Sequence, residues 1–274
     1  MSPDPNEFLP FALRLAELAG AAILPHFRRA IEVENKGGDA YFDPVTAADR
    51  AAEQAIRDEL RRVYPNHGIY GEEQGRTAGD SELTWVLDPI DGTRAFILGQ
   101  LHWGTLIALD EGPRPVLGIM HQPYVAETFV GTREGAYWQR NGEEHPMRAR
   151  ACARLEDAAV CTTHVMPEDR AAFDRVAAKA RLVRYGGDCY NYCLLAAGLI
   201  DVVIESGLQA YDVHAVAPMI ESAGGVITTW SGEFPQEGGQ IAAAGDPRLH
   251  EQLLRILTGE RGRTMVNDHG TNLI

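Results

Sequence analysis

Trp85-Val86-Leu87-Asp88-Pro89-Ile90-Asp91-Gly92-Thr93-Arg94-Ala95-Phe96 is the stretch on which the fold of this chain turns. It opens with an apolar run, Trp85 to Leu87, that reads as a buried strand. Asp88 and Asp91 follow, separated by Pro89 and Ile90. Pro89 fixes its own φ and biases Asp88 toward extended backbone. Gly92 permits a tight turn, and Thr93 is a good N-cap for whatever follows. The residues therefore predict a strand ending in a stiff acidic turn that feeds a helix start. Clustered carboxylate oxygens suit a hard cation, and free N–H groups at a helix N-terminus suit a phosphate. Asp-Pro and Asp-Gly pairs are also common turn chemistry, so the stretch alone leaves a plain loop open.

Before it, residues 7–30 read as a helix with Phe11, Leu15, Leu18 and Ala22 on one face. Ile31 to Asn35 suggests a short strand, and Lys36 to Pro44 a loop. A second helix starts at Val45-Thr46-Ala47-Ala48-Asp49. Its buried stripe is Ala48, Ala52, Ala55, Ile56, Leu60 and Val63. Thr46 is a plausible cap, and a carboxylate at Asp49 suits the helix dipole whatever else it does. After the brief strand Ile69-Tyr70 comes Gly71-Glu72-Glu73-Gln74-Gly75, a second acidic loop. It is either a solvated turn or a place where Glu72 ligates a metal with Glu73 beside it. Residues 75–82 read as polar loop.

After Phe96 the pattern turns to strands at Trp103 to Leu109, Val116 to His121, Glu127 to Val130 and Ala136 to Gln139, with hairpin signals at Asp110 to Pro113 and Asn141-Gly142. This predicts an antiparallel meander to about Met147, with the first two helices on one face. From about Leu155 strands and helices alternate, the mark of an α/β arrangement. The expected helices there are Pro167 to Ala180, Tyr190 to Gly198, Asp212 to Ala223 and Pro247 to Leu257. The expected organisation is an α+β half over 1–150, an α/β half over 151–259, and a mobile polar tail over 260–274. Asp212 stands at a helix start, where an N-cap role explains it by itself.

Hydrophobic residues make up 45% of the 274, enough for a large core, and the formal net charge of -14 argues against a nucleic-acid partner. It leaves a small anionic substrate open, because divalent metals reverse the local sign. The N-terminal residues carry neither a basic region nor an apolar run, and no stretch is long enough to span a bilayer, so the expectation is a cytoplasmic protein with no membrane partner. The four cysteines, Cys152, Cys161, Cys189 and Cys193, read as reduced core or helix residues rather than a zinc site.

Taken together and in order, Gly71-Glu72-Glu73, Asp88-Pro89-Ile90-Asp91-Gly92-Thr93 and Tyr211-Asp212 through Ala223-Gly224-Gly225 resemble the inositol monophosphatase family over nearly the whole chain. Lys36 and Val45 to Asp49 fit its N-terminal part. The resemblance implies a layered αβαβα sandwich of the inositol monophosphatase/fructose-1,6-bisphosphatase type and a magnesium-dependent phosphomonoesterase. Two or three Mg²⁺ are implied per site, Mn²⁺ being able to substitute, and a homodimer. Glu72, Asp88 and the carbonyl of Ile90 would hold one ion. Asp88, Asp91 and Asp212 would hold a second, and Glu72 would share a weaker third near Glu73. Asp91, Gly92 and Thr93 would present N–H groups to the phosphate. Asp49 and Thr93 would orient the attacking water, with Glu72 also in the catalytic set.

Asp91 to Ile97, Trp103 to Leu109, Tyr185 to Cys193 and Glu205 to Asp212 look most like the histidinol-phosphate phosphatases of this fold. That branch implies L-histidinol phosphate as substrate, with Asp188, Glu205 and Arg94 in its pocket. Asp188 and Glu205 would face the ammonium and imidazole of the leaving group. Glu205 discriminates nothing alone, since inositol-specific relatives have a counterpart that meets a sugar hydroxyl. An inositol phosphatase or another small-ester phosphatase is the alternative activity, and a metal-dependent binding protein the non-enzymatic one. His214 and Pro218 depart from the small or aliphatic residues expected in the helix after Asp212. Pro218 should kink that helix unless it falls in the early turns.

Overall fold

The computed structural model describes residues 4–36 and 44–259, so the tail expected to be mobile lies outside the described residues, as does most of the loop between Lys36 and Pro44. Helix α1 (Pro5–Ile23) is followed by β1 (Val33–Asn35), β2 (Pro44–Thr46), α2 (Ala47–Val63), β3 (Gly68–Gly71) and β4 (Gly75–Thr77). Next come β5 (Leu83–Asp91), α3 (Thr93–Ile97), β6 (Gly104–Glu111), β7 (Arg114–Gln122), β8 (Glu127–Thr132), β9 (Gly135–Arg140) and β10 (Glu143–Pro146). The second half holds β11 (Ala159–Thr162), α4 (Arg170–Ala177), β12 (Leu182–Tyr185), α5 (Cys189–Ala196) and β13 (Val202–Leu208). It ends with α6 (Ala210–Val213), α7 (Ala217–Ser222), β14 (Val226–Thr229), β15 (Gly239–Ala244) and α8 (Pro247–Leu257).

An eight-stranded sheet runs in the order β10-β9-β8-β7-β6-β5-β3-β4, antiparallel throughout except where β3 lies parallel to β5. A five-stranded sheet runs β12-β11-β13-β15-β14, with its first three strands parallel. The period-2 alternation of β5 shows how the layers form. Trp85 and Leu87 point to α1 and α2, into a core with Leu15, Ile56 and Ile107. Val86 points the other way, into a core shared by both sheets with Met120, Val203, Val216 and Ala243. Helices α5, α6 and α7 sit in that middle layer. Helices α4 and α8 cover the far face of the second sheet through Phe173, Leu249 and Leu253. The result is an αβαβα sandwich. Among the described residues no helix is long and apolar enough to cross a membrane.

Several local expectations change. The helix read over 212–223 is two pieces, α6 and α7, with a turn at 214–216. Pro218 falls in the first turn of α7, where no N–H is missed, so the proline helps to start the second piece rather than to kink one long helix. The break also lets backbone reach the sheet: a Cβ at Gly118 of β7 would lie 1.9 Å from the carbonyl oxygen of Ala215. Residues 75–82 are not all loop, since β4 extends the sheet edge, and β10 adds a strand after the Asn141-Gly142 turn. The first helix stops at Ile23 rather than running to residue 30.

Candidate active site

The acidic turn forms at the end of β5. Pairing of β5 with β6 slips between Asp88 and Asp91, a bulge that turns Asp88 and Asp91 toward the same end of the strand. Gly92 takes φ 86° and is itself the N-cap of α3. Thr93 is therefore not the cap expected of it but the first helical residue, and its hydroxyl donates to the carbonyl of Ile90 at 3.0 Å. That carbonyl keeps a second lone pair for another partner.

Asp212 is brought to the same place from the second half. It is not an N-cap: Gln209 caps α6, and the Gln209 N–H donates to Asp212 Oδ2 at 2.7 Å. Carboxylate oxygens of Asp88, Asp91 and Asp212 lie within 4.8 Å of one another. Glu72 follows β3, its N–H donating to the carbonyl of Leu87 at 3.1 Å, which sets it beside β5. Lys36 Nζ reaches both Glu72 and Glu73 at 2.8 Å. Asp49 lies at the start of α2 in a capping box, where Thr46 donates to its Oδ2 from N–H at 2.8 Å and from the hydroxyl at 2.6 Å.

Burial pushes Asp88 well above the carboxylate range, and the neighbouring Glu72, Asp91 and Asp212 push it further. Burial raises Asp91, Asp212 and Glu72 in the same direction. Asp49 is raised to about 6 by burial, against the hydrogen bonds from Thr46. Like charges this close cannot all ionise in a protein interior without added positive charge. Two buried oxygens, Oδ1 of Asp88 and Oδ1 of Asp49, have no hydrogen-bond partner among the described residues. A divalent cation held by oxygen ligands fits this donor set, satisfying the orphaned oxygen and the excess charge together.

A cavity of about 290 Å³ opens over these groups, lined by Glu72, Asp91, Thr93, Arg94, Asp188 and Asp212 among others. It adjoins a second of about 410 Å³ reaching Thr163, Met166, Glu205 and Gly207. A cavity of about 770 Å³ lies elsewhere among the described residues, between Arg175, Lys179 and Arg255 in the α4–α8 layer, and has no acidic cluster. Asp188 and Glu205 are joined through a residue that motif reading misses. Thr163 donates its N–H and hydroxyl to Glu205 at 3.1 and 2.8 Å, and its hydroxyl accepts the Asp188 N–H at 2.9 Å. Burial raises both acids to about 8, with Asp91 adding to the rise at Asp188 and Arg94 opposing it. Asp188 holds φ 45° and ψ -139°, a sparsely populated backbone conformation outside the left-handed helical well that costs about 1–3 kcal/mol.

The sequence profile of the inositol monophosphatase family matches residues 4–260. The chain belongs to this family. The bifunctional phosphatase IMPL2 of Arabidopsis thaliana is 40% identical over 92% of this chain and 75% of its own length. A histidinol-phosphatase of Chlorobaculum parvum is 34% identical over 96% of this chain and all of its own. A solved inositol monophosphatase from Zymomonas mobilis superposes with a TM-score of 0.81 at 42% identity, over 92% of this chain and 98% of that one. As a member of the inositol monophosphatase family the protein is a metal-dependent phosphatase that acts on small phosphomonoesters. Among the described residues Asp88, Asp91 and Asp212 form an acidic cluster that could hold a metal ion.

Proposed function

We propose that this phosphatase hydrolyses L-histidinol phosphate with Mg²⁺, and that Asp88, Asp91, Asp212, Glu72 and the Ile90 carbonyl hold the metal. Bound there, the ions supply charge to the phosphate oxygens and lower the pKa of water. The N–H groups of Asp91, Gly92 and Thr93 bind the phosphate at the start of α3. Asp49 and Thr93 orient the attacking water. In support of that role, Asp49 Oδ2 is pinned by Thr46 while Oδ1 has no hydrogen-bond partner among the described residues. Water adds to phosphorus, the phosphorus–ester oxygen bond breaks, and the departing alkoxide takes up a proton.

The observation that carries the substrate is the pair Asp188, half-buried, and Glu205, buried, in the cavity beyond the phosphate end. They suit a leaving group that brings an ammonium and an imidazole, and disfavour one that brings more phosphate. The histidinol-phosphatase of Chlorobaculum parvum, matched along its full length, agrees with this reading. The second reading is an inositol phosphate, favoured by the higher identity to the Zymomonas mobilis inositol monophosphatase. Phosphate release from L-histidinol phosphate and inositol 1-phosphate, measured side by side with Mg²⁺, decides between them. A higher kcat/KM for the inositol ester overturns the substrate and leaves the metal site standing. The homodimer implied by the family would bury the exposed Leu101, Leu182, Tyr185 and Leu199 beside one surface groove, and sedimentation velocity tests it.

A further inference from the structure

Helix α2 carries a polar ridge beside its apolar stripe. Asp49, Glu53 and Arg57 are spaced four apart, so they share one face, and all three are buried. Glu53 and Arg57 are 0% and 1% exposed, which is rare for charged residues unless their partners are built in. Those partners are the backbone of the acidic loop. Glu53 Oε2 accepts the N–H of Glu73 at 2.7 Å, and Oε1 accepts the N–H of Gln74 at 3.0 Å. Arg57 Nε donates to Glu53 Oε1 at 2.7 Å, and its other nitrogens donate to the carbonyl of Gly75 at 2.5 Å and the hydroxyl of Thr77 at 3.1 Å. The turn between β3 and β4 is thus wrapped around one carboxylate. Space at its start is shaped to match: a Cβ on Gly71 would fall 2.2 Å from Glu53 Oε1.

Glu72 sits between Gly71, which Glu53 touches, and Glu73, whose N–H Glu53 holds. From these contacts we infer that Glu53, braced by Arg57, is a positioning residue: it fixes the loop backbone so that Glu72 meets the β5 carboxylates already in place to bind metal. This rests on the proposed role of Glu72 as a metal ligand. A ligand held by its own backbone needs no ordering when the ion arrives, and loss of such an outer contact weakens metal binding about 10- to 100-fold.

The test is binding of Mn²⁺ to the full chain, followed by the electron paramagnetic resonance of free ion, with hydrogen exchange at Glu73 and Gln74 read in parallel. Glu53→Gln puts an amide NH₂ among donors. Both amides should lose protection, Mn²⁺ affinity should fall about tenfold or more, and activity should return as Mg²⁺ is raised. If that variant does not fold, Glu53→Leu with Arg57→Leu removes both charges together, leaves no unpaired ion, and should show the same loss. Glu72→Gln is the control for the underlying reading. Normal affinity in Glu53→Gln beside weakened affinity in Glu72→Gln overturns the positioning role alone. Normal affinity in Glu72→Gln overturns its role as a ligand, and this route with it.

Discussion

Asp88, Asp91 and Asp212 on one side of the cavity and Asp188 and Glu205 on the other are all acids raised by burial, but their surroundings differ. The first three crowd within 4.8 Å, and Asp88 keeps a buried oxygen with no hydrogen-bond partner among the described residues. Of the second two, Glu205 accepts two hydrogen bonds from Thr163, whose hydroxyl also holds the backbone N–H of Asp188. Crowding of three carboxylates around one orphaned oxygen leaves charge for a cation to cancel. Hydrogen bonds from a neutral residue ease the burial of Glu205 without an ion, and the pair lines the cavity where an organic cation would sit. Cys189 N–H, next to Asp188, donates to Asp91 at 2.6 Å and so connects the two sets.

The sharpest way to break that contrast is Asp88→Asn. It should lower kcat by at least about 10²–10³-fold, the scale expected when one preorganised electrostatic contact to a transition state is lost. The same change removes one of several like charges, so the metal-free protein should melt at a higher temperature than the wild type. Added Mg²⁺ should then stabilise it far less, where the wild type gains about 2.7 kcal/mol at a hundredfold excess over Kd. Thermal melts with EDTA and with Mg²⁺ read both effects. Full activity, or an undiminished rise with Mg²⁺, would show that Asp88 does not belong to a cation-seeking set.

Asp188→Asn comes next in size. On the proposed substrate it should cost about 10- to 100-fold in kcat/KM, the range for a hydrogen bond to a charged group. Inositol 1-phosphate should lose little. Steady-state kinetics on both esters give the ratio. Equal losses on the two would place Asp188 with the metal cluster, through its neighbour Asp91, rather than with the leaving group.

How far the residues announce this arrangement depends on where each one sits. Asp88 and Asp91 are readable because Pro89 and Gly92 mark a turn at the end of an apolar run. Glu72 is readable because it follows a strand between glycines. Glu53 and Arg57 are hidden: four apart on an amphipathic helix, they look like a solvent-facing pair, and only the return of residues 72–77 buries them. Thr163 is hidden for a similar reason, since one hydroxyl after a strand carries no signal until Asp188 and Glu205 converge on it. Asp188 follows two glycines in a strained loop and enters the reading through family resemblance, not through spacing. The layered fold is more legible than the site details, because period 2 and period 3.6 are written along whole elements, while caps are decided by single residues. Thr93 and Asp212 are both good N-caps in isolation, yet Gly92 and Gln209 take those positions.

A pH series probes the pocket side of the contrast. Burial raises Glu205 from its ordinary 4.5 to about 8, so the folded protein holds a proton there that the unfolded chain releases. Its contribution to stability is therefore full below about 4.5 and is lost as pH rises through about 8. The metal-free protein should lose stability toward alkaline pH across that window, and Glu205→Gln should flatten the slope. Urea melts at several pH values measure it. An unchanged slope in the variant would mean that Thr163 satisfies the carboxylate fully in its ionised form.

The smallest effect on activity is expected at His214, the residue that looks most out of place after Asp212. Its Nδ1 lies 2.8 Å from Asp110 Oδ2, and its Nε2 donates to the carbonyl of Gln236 at 2.8 Å. It thus ties the end of α6 to β6 and to the loop before β15. The Asp212 carboxylate is held separately, by the N–H of Gln209. His214→Ala should therefore cost about 1–3 kcal/mol of stability, because Asp110 is left buried without its partner. The Mg²⁺ needed for half-maximal activity should move only a few-fold, well short of the 10- to 100-fold that loss of a contact orienting a ligand typically costs. Adding Asp110→Ala to His214→Ala should recover part of the lost stability, since the stranded carboxylate goes with it. A large shift in Mg²⁺ requirement at unchanged stability would show instead that the turn at 214–216 aims Asp212, and would move His214 from the frame of the fold into the metal side of the comparison.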